Sequence, residues 1–240
     1  MSMFTAVNPK LVKGQSFGYM SFGIHFAPHT ISGYQVCASA SDGCKDACLY
    51  TSGHGKFTKT QEARIAKTKR FFETREQFLA ELVKDAKAAM RKAEREGFRP
   101  AFRLNLTSDV RWETVPVNVD GITYANIMLA FPSVQWYDYT KHTNRTNVPA
   151  NYHLTFSRSE SNDDKVADMF AQGFNVAIVF DTPQGEPLPT SYMGREVIDG
   201  DEHDLRFLDK RGVWVGLRGK GDATKGTHNG FVVLTYNKGK

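Results

Sequence analysis

The sequence contains no apolar segment approaching the roughly 18 residues of a membrane-spanning helix, so we predict that it does not cross a bilayer. The first residues, MSMFTAVNPKLVKG, lack the apolar core of a signal peptide, and secretion is not expected. The 20 glycines and 9 prolines are scattered, which excludes a collagenous or low-complexity chain. The chain also has no Gly-rich phosphate loop and no nucleophile elbow. Its 240 residues, 40% hydrophobic and 24% charged, are typical of a globular protein.

Cysteine is scarce, and the three cysteines of the chain all lie within twelve positions. Cys37, Cys44 and Cys48 form a C-x6-C-x3-C pattern in the segment VCASASDGCKDACLY, which we call the cysteine loop (residues 37–48). An odd number of cysteines in a chain that is not expected to be secreted argues against a disulfide framework. Thiolates are soft ligands that select iron–sulfur clusters, zinc or copper(I). The small residues between the cysteines let the backbone fold closely around a metal centre.

Three interpretations of the cysteine loop remain open. Three cysteines can bind three irons of a 4Fe–4S cluster and leave the fourth iron open to a small molecule, and we favour this prediction. Alternatively, His54 lies six positions after Cys48 and completes a Cys3His set for structural zinc. In the third interpretation the thiols bind no metal and pack as small apolar groups.

The pattern of apolar runs predicts an α/β fold. The strand candidates are Phe17–Phe26, Ala101–Leu106, Val134–Asp138, Tyr152–Ser157, Asn175–Asp181, Val213–Arg218 and Phe231–Tyr236. Helices are predicted from Thr58 to about Arg70, from Thr74 to before Gly97, and over Ile122–Phe131 and Asn162–Gln172. This alternation favours a mostly parallel sheet in a single domain over residues 1–240. We expect a complete or partial (β/α) TIM-like barrel with the cysteine loop after the first strand, although a doubly wound open sheet would produce the same pattern of strand ends.

Polar residues follow most of the predicted strands, where the binding residues of such folds lie. They are Ser108 and Asp109, Asp138 and Thr140, Ser157, Arg158 and Glu160, Asp181 and Thr182, and Arg218 and Lys220. Loops begin at strand ends and are often polar for that reason alone. The pattern therefore favours a binding site at this edge, with ordinary loop polarity as the alternative.

Positive charge is concentrated in two parts of the chain. Residues 56–99 carry 13 Lys/Arg against 7 Asp/Glu, and residues 206–240 carry 8 against 2, within a net charge of +5. Such segments attract nucleic acid or a phosphorylated ligand, or are simply solvated helix faces. Aromatic side chains that could stack on bases are Trp112, Trp136, Tyr137 and Tyr139, although a core or strand role is expected for most of them.

The position of the cysteine loop, after a first strand and before a helix, resembles that of radical S-adenosylmethionine (SAM) enzymes. Those enzymes usually have C-x3-C-x2-C, so the resemblance is one of architecture and not of spacing. Separately, the strings CASASDGCKDACLYTSGHGKF, ARIAKTKRFF, RLNLTSDVRWE, WYDYTKH, NYHLTFSRSE and VIDGDEHDLRFLD together resemble a family of tailed-phage proteins, the gene product eighty-eight-like family. This resemblance extends over residues 17–235 and implies synthesis in the cytoplasm of an infected bacterial host.

The family resemblance also implies a set of site residues. It implies Cys37, Cys44 and Cys48 as cluster ligands, and its recurrent polar motifs match Asn105, Ser108, Asp109, Asp138, Thr140, Lys141, Ser157, Arg158, Ser159, Glu160, Asp199, Asp201 and Asp204. On a barrel, most of these would gather around the cluster and form a pocket for a small molecule.

These observations lead to one favoured function and one alternative. The favoured prediction is a phage-encoded protein that holds a 4Fe–4S cluster and, if SAM binds at the open iron, is a radical SAM-like enzyme. Arg158 or Lys141 would then pair with the SAM carboxylate, and Asp109 or Asp138 would orient hydroxyl groups. Ser157 and Glu160 complete the predicted cofactor-binding set. The alternative is a non-catalytic iron–sulfur or zinc protein that binds nucleic acid through its basic segments.

Overall fold

The computed structural model describes residues 3–6 and 9–235. Its helices are α1 (Pro9–Val12), α2 (Asp42–Asp46), α3 (Thr58–Glu73), α4 (Arg75–Arg95), α5 (Ile127–Ala130) and α6 (Val166–Ala171). Its strands are β1 (Tyr19–Gly23), β2 (Arg99–Arg103), β3 (Val117–Val119), β4 (Ile122–Tyr124), β5 (Gln135–Thr140), β6 (Tyr152–Ser157), β7 (Val176–Phe180), β8 (Ser191–Tyr192), β9 (Arg195–Asp199), β10 (Trp214–Arg218) and β11 (Val232–Val233). Short 3-10 turns connect several of these elements.

The fold is built on one mostly parallel sheet. Within the described residues this sheet has nine strands in the order β1-β2-β5-β6-β7-β10-β9-β8, with β11 paired to β7, while β3 and β4 form a separate antiparallel hairpin. The pairings in the large sheet are parallel apart from that of β8 with β9. Parallel pairing places the carboxyl ends of the main strands along one edge, as the alternation of strands and helices predicts.

The predicted (β/α) barrel is wrong, because the described strands form an open sheet. The outer edge of β1 pairs with the N-terminal segment, where the Thr5 amide nitrogen donates to the Gly23 carbonyl oxygen at 2.8 Å. The other end of the sheet is the antiparallel hairpin of β8 and β9. A barrel requires the first and last strands to pair with each other, and among the described residues the end strands β1 and β8 do not pair.

The core lies between α4 and the sheet. The face of α4 that the 3.6-residue spacing predicts is buried, including Phe78, Leu82 and Ala86, and Gly97 follows the helix with a φ of 77°. On the sheet, Phe102 stacks against Trp136 with ring centroids 4.7 Å apart. Burial of these large apolar side chains is the main stabilising contribution, at about 25 cal/mol for each Å² removed from water. The predicted helix and its buried face are confirmed.

Two other predictions need correction at the local level. The segment 122–131 is not one helix, because it contains β4 and then α5, whose first turn is capped by Asn126 through a 2.9 Å hydrogen bond from the Leu129 amide nitrogen. The last predicted strand begins one residue before β11, and its final residue, Tyr236, lies outside the described residues. The structure places β11 beside the second half of β7, past the point where β6 ends its pairing.

Candidate functional site

A cavity of about 1020 Å³ lies at the carboxyl-terminal edge of the sheet. His25 follows β1, Asn105 follows β2, Lys141 follows β5 and Gly219 follows β10, and all four line this cavity. Helix α3 forms a second wall and the cysteine loop a third. The carboxyl edge of a parallel sheet is the usual place for a ligand, so this cavity is the candidate functional site.

Cys37, Cys44 and Cys48 all line this cavity, and none of them is in a disulfide. Burial raises the pKa of Cys37 to about 12 and also raises the pKa of Cys48. A thiolate at Cys44 would raise the pKa of both other cysteines further, so the three groups interact electrostatically. Without a metal, Cys37 is therefore a neutral thiol at neutral pH, whereas a bound metal would deprotonate it.

The cysteine loop is held in place by one distant carboxylate. The Glu160 carboxylate accepts hydrogen bonds from the Ser41 hydroxyl at 2.8 Å and from the Gly43 amide nitrogen at 2.7 Å. The Ser41 hydroxyl oxygen accepts in turn from the Cys44 amide nitrogen at 3.2 Å, which caps α2. A Cβ atom at Gly43 would lie 2.0 Å from the His228 carbonyl oxygen, so only glycine fits there. Glu160 thus positions the loop and does not line the cavity.

The placement of the thiols bears on which metal they fit. Among the described residues, no three His, Cys, Asp or Glu side chains stand close enough together to hold a single metal ion. His54 lines the cavity but packs edge-on against Phe57, with ring centroids 5.8 Å apart. The Cys3His set of the zinc alternative is therefore not assembled. A 4Fe–4S cluster binds each thiolate through a different iron, so its ligands need to surround one space and not one point.

The sequence-predicted site residues divide into two groups. Those that line the cavity are Asn105, Ser108, Asp109, Thr140, Lys141, Ser157, Asp201, Arg218 and Lys220, in addition to the cysteines. Those that do not line it are Asp138, Arg158, Ser159, Glu160, Asp181, Thr182, Asp199 and Asp204. The structure thus brings most of the polar strand ends to one cavity and assigns the others packing or positioning contacts.

The polar centre of the sheet edge is formed by Lys141, Ser157 and Asp109. The Lys141 ammonium donates to the Ser157 hydroxyl oxygen at 2.6 Å, and the Lys141 amide nitrogen donates to the Asp109 carboxylate at 2.7 Å. Arg145 lies 3.6 Å from the same carboxylate. The cavity therefore presents one ammonium group and one carboxylate in defined positions beside the cysteine loop.

Asp138 and Arg158 are held away from the cavity by their own partners. The Asp138 carboxylate accepts from the Asn105 amide nitrogen at 2.8 Å and from the Tyr152 hydroxyl at 2.9 Å, and burial raises its pKa to about 7. Arg158 pairs with Asp163 and donates to backbone carbonyls of residues 230 and 231. Of the pairs predicted to contact SAM, Lys141 and Asp109 are the members that line the cavity.

Sequence reasoning missed the basic wall of the cavity. Arg64 and Lys67 project from α3, and Arg103 ends β2. His25 lies among these three cations, and its pKa is lowered to about 3 by burial and by the positive charges of Arg64, Arg103 and Lys67. The spacing of Thr60, Arg64 and Lys67 along one helix face is a signal that could have indicated this wall.

The nucleic-acid alternative gains little from the positions of the aromatic side chains. Trp112, Trp136 and Tyr137 are buried in the protein interior and cannot stack on bases. Tyr139 lines the cavity. Three of these four aromatic side chains thus have the core role that the sequence predicts for most of them.

A comparison with protein families now places the chain. A family model described as Gene product 88 matches residues 2–233. The chain belongs to the Gene product 88 family. The resemblance to gene product eighty-eight-like phage proteins is confirmed, and family membership identifies a bacteriophage protein. No curated protein and no solved structure matches the chain. Across the described part of this Gene product 88 protein, no helix has the length and apolarity to span a membrane.

Proposed function

We propose that this Gene product 88 protein holds a 4Fe–4S cluster through Cys37, Cys44 and Cys48, with the fourth iron open to a small molecule in the cavity. The observation that carries the proposal is that all three cysteines line one cavity at the carboxyl edge of a parallel sheet. The choice of a cluster over zinc rests on the soft thiolate ligands and on the C-x6-C-x3-C pattern, in which three cysteines can each bind a different iron.

The charge of the cavity supports an anionic occupant. Among the described residues that line it, seven are Lys or Arg and two are Asp. Three thiolates and a 4Fe–4S core carry net negative charge, and nearby cations stabilise this charge in a low-dielectric site. The backbone adds to this effect, because the His29 amide nitrogen donates to the Cys37 sulfur at 3.4 Å.

The reaction that we propose for this site is reductive cleavage of SAM. When bound, such a cluster supplies one electron, taken from an external low-potential reductant, which breaks the sulfur–C5′ bond of SAM to give methionine and a 5′-deoxyadenosyl radical. Lys141 presents its ammonium group to a carboxylate in the cavity, fixed by its bond to Ser157. Asp109 presents a carboxylate that accepts hydrogen bonds from ligand hydroxyls.

The test is anaerobic purification followed by visible absorbance and assays of iron, sulfide and zinc. We expect a brown protein with about four irons per chain, and loss of the iron in the Cys37→Ala, Cys44→Ala and Cys48→Ala variants. Lys45→Ala is the matched control, because Lys45 is an exposed residue of the same loop that pairs with Asp42. This control should retain its iron.

The possible results distinguish binding of the cluster from cleavage of SAM. Production of 5′-deoxyadenosine from SAM and dithionite by the wild type, but not by the cysteine variants, would support both. A protein with four irons that leaves SAM intact would overturn the proposed reaction and leave the cluster standing. A colourless protein with one zinc would overturn both and direct attention to the nucleic-acid alternative.

A further inference from the structure

Arg64 is a buried cation without an anionic partner. Its side chain lines the cysteine-lined cavity and is 8% exposed, and its Nη1 atom has no hydrogen-bond partner. The guanidinium carbon lies 5.8 Å from the centre of the Tyr50 ring. No carboxylate of the described residues forms an ion pair with Arg64, although most of the other buried arginines have one, such as Arg145 with Glu113. A buried, unpaired guanidinium is costly and calls for an explanation.

The surroundings of Arg64 add further positive charge. Lys67 lies one turn along the same face of α3, and its pKa is lowered to about 8 by burial and by the charge of Arg64. Arg103 is compensated by Asp204, whose carboxylate lies 2.8 Å away, and the Lys67 ammonium donates to the Met3 carbonyl oxygen. Among the described residues, Arg64 and Lys67 are thus the cations of this wall that form no ion pair with a carboxylate, and an oxyanion would compensate their charge.

We propose that Arg64, assisted by Lys67, binds the oxyanion of a small substrate, either a phosphate or a carboxylate group, inside the cavity. The planar guanidinium can donate two parallel hydrogen bonds to such a group, which gives orientation as well as affinity. The proposal rests on the proposed function in treating the cavity as a substrate site. Binding of the anion itself depends on the basic wall and does not require the cluster. This wall is separate in sequence from Lys141 and Ser157.

The bound cluster is the rival partner for Arg64. Burial raises the pKa of Cys48, and the positive charge of Arg64 opposes part of this rise, so the guanidinium acts on that thiol electrostatically. If Arg64 served only to stabilise the thiolates, its removal would change the cluster and leave the affinity for added anions unchanged. The experiment therefore measures anion binding and cluster content separately.

The test uses inorganic phosphate and malonate as probes, with binding followed by isothermal titration calorimetry at low ionic strength. The wild type is compared with Arg64→Gln and Arg64→Lys, which alter the proposed anion site. It is also compared with the triple variant Cys37→Ala/Cys44→Ala/Cys48→Ala, which removes the proposed cluster ligands. Arg91→Gln is the matched control, because Arg91 is an exposed arginine of α4 that does not line the cavity. Iron content is measured on the same samples.

We expect saturable binding of at least one probe to the wild type. Arg64→Gln should weaken this binding about tenfold or more, because a charged hydrogen bond is lost. Arg64→Lys should restore part of the affinity, because lysine keeps the charge and a single donor group. Arg91→Gln should bind as the wild type does. Stronger binding of phosphate than of malonate assigns a phosphorylated substrate, and the reverse assigns a carboxylate. Binding retained in the triple variant supports the anion site even if the cluster proposal fails. Absence of saturable binding, or equal binding by Arg64→Gln, would show that the anion proposal is wrong.

Discussion

The aromatic core beneath α4 and the cysteine loop are stabilised in different ways. In the core, Phe78 contacts the rings of Phe26 and Phe71, with centroids 5.9 and 5.5 Å away. Many apolar contacts of this kind share the stabilisation of the core. The cysteine loop instead depends on a few polar contacts from distant parts of the chain, such as those of Glu160 with Ser41 and Gly43. Stability should therefore reside in the core, whereas the loop should be sensitive to single hydrogen bonds.

The largest effect is expected from Phe78→Ala. This substitution removes a fully buried ring and should lower the free energy of unfolding by about 3–5 kcal/mol, because the surrounding side chains relax only partly into the cavity. Urea denaturation measures the change, with the exposed Glu76→Ala on the same helix as the control. If Phe78→Ala cost less than about 1 kcal/mol, the contrast between core and loop would not hold.

A somewhat smaller effect is expected from Glu113→Gln. The Arg145 guanidinium donates to the Glu113 carboxylate at 2.6 Å, and both side chains are buried, so the variant removes the closer carboxylate and leaves the buried Arg145 only Asp109, 3.6 Å away. We expect a loss of about 3 kcal/mol in urea denaturation. Lys87→Gln breaks a surface pair with Asp120 of similar length and should cost about 0–1 kcal/mol. Equal costs for the two variants would contradict this account.

Glu160→Gln should separate stability from the function of the loop. The amide weakens the charge-assisted hydrogen bonds to Ser41 and Gly43, at a cost of about 1–3 kcal/mol that falls mainly on the loop. Metal affinity should fall by about 10- to 100-fold, as for other residues that orient metal ligands. Iron content after mild chelation is the measurement, and the exposed Glu62→Gln is the control. Unchanged iron content would show that Glu160 does not position the loop.

The smallest effect, when taken over a single pH unit, is a pH dependence at His25. Its folded-state pKa of about 3 lies below its ordinary value of 6.5, so the unfolded chain binds the proton first as the pH falls. Its contribution to stability is present above pH 6.5 and is lost progressively toward pH 3, with a slope of at most about 1.4 kcal/mol per pH unit. His25→Gln should reduce the slope of unfolding free energy against pH between these values. Identical slopes in the two proteins would refute the prediction.

The core was largely predictable from the sequence, because periodic apolar positions carry its information. The buried face of α4 and strand β6, Tyr152–Ser157, follow from the spacing of apolar residues alone. Sheet closure was not predictable in this way. Parallel strands have the same pattern in a barrel and in an open sheet, and closure was decided by pairings of Thr5 and of the short β8–β9 hairpin, which have weak signals.

The candidate site was predictable in its parts but not in its roles. Polar residues after the strands, such as Asp109 and Lys141, do line one cavity. Asp138 and Arg158 follow strands in the same way, yet long-range partners hold them elsewhere. Arg64 was missed because a basic residue on a helix normally indicates a solvated face, and only the packing of α3 against the loop shows otherwise.

The close packing of Gly43 against the His228 carbonyl has a consequence for the order of assembly. The two residues are separated by most of the chain, and a contact of such long sequence separation carries a large entropic cost of loop closure, which slows folding. During synthesis the three cysteines emerge long before residues 228–233, so the cysteine loop lacks its contact at Gly43 until that segment docks. The segment 228–233 thus completes the packing of the cysteine loop, and a chain that stops before it would lack the contact at Gly43.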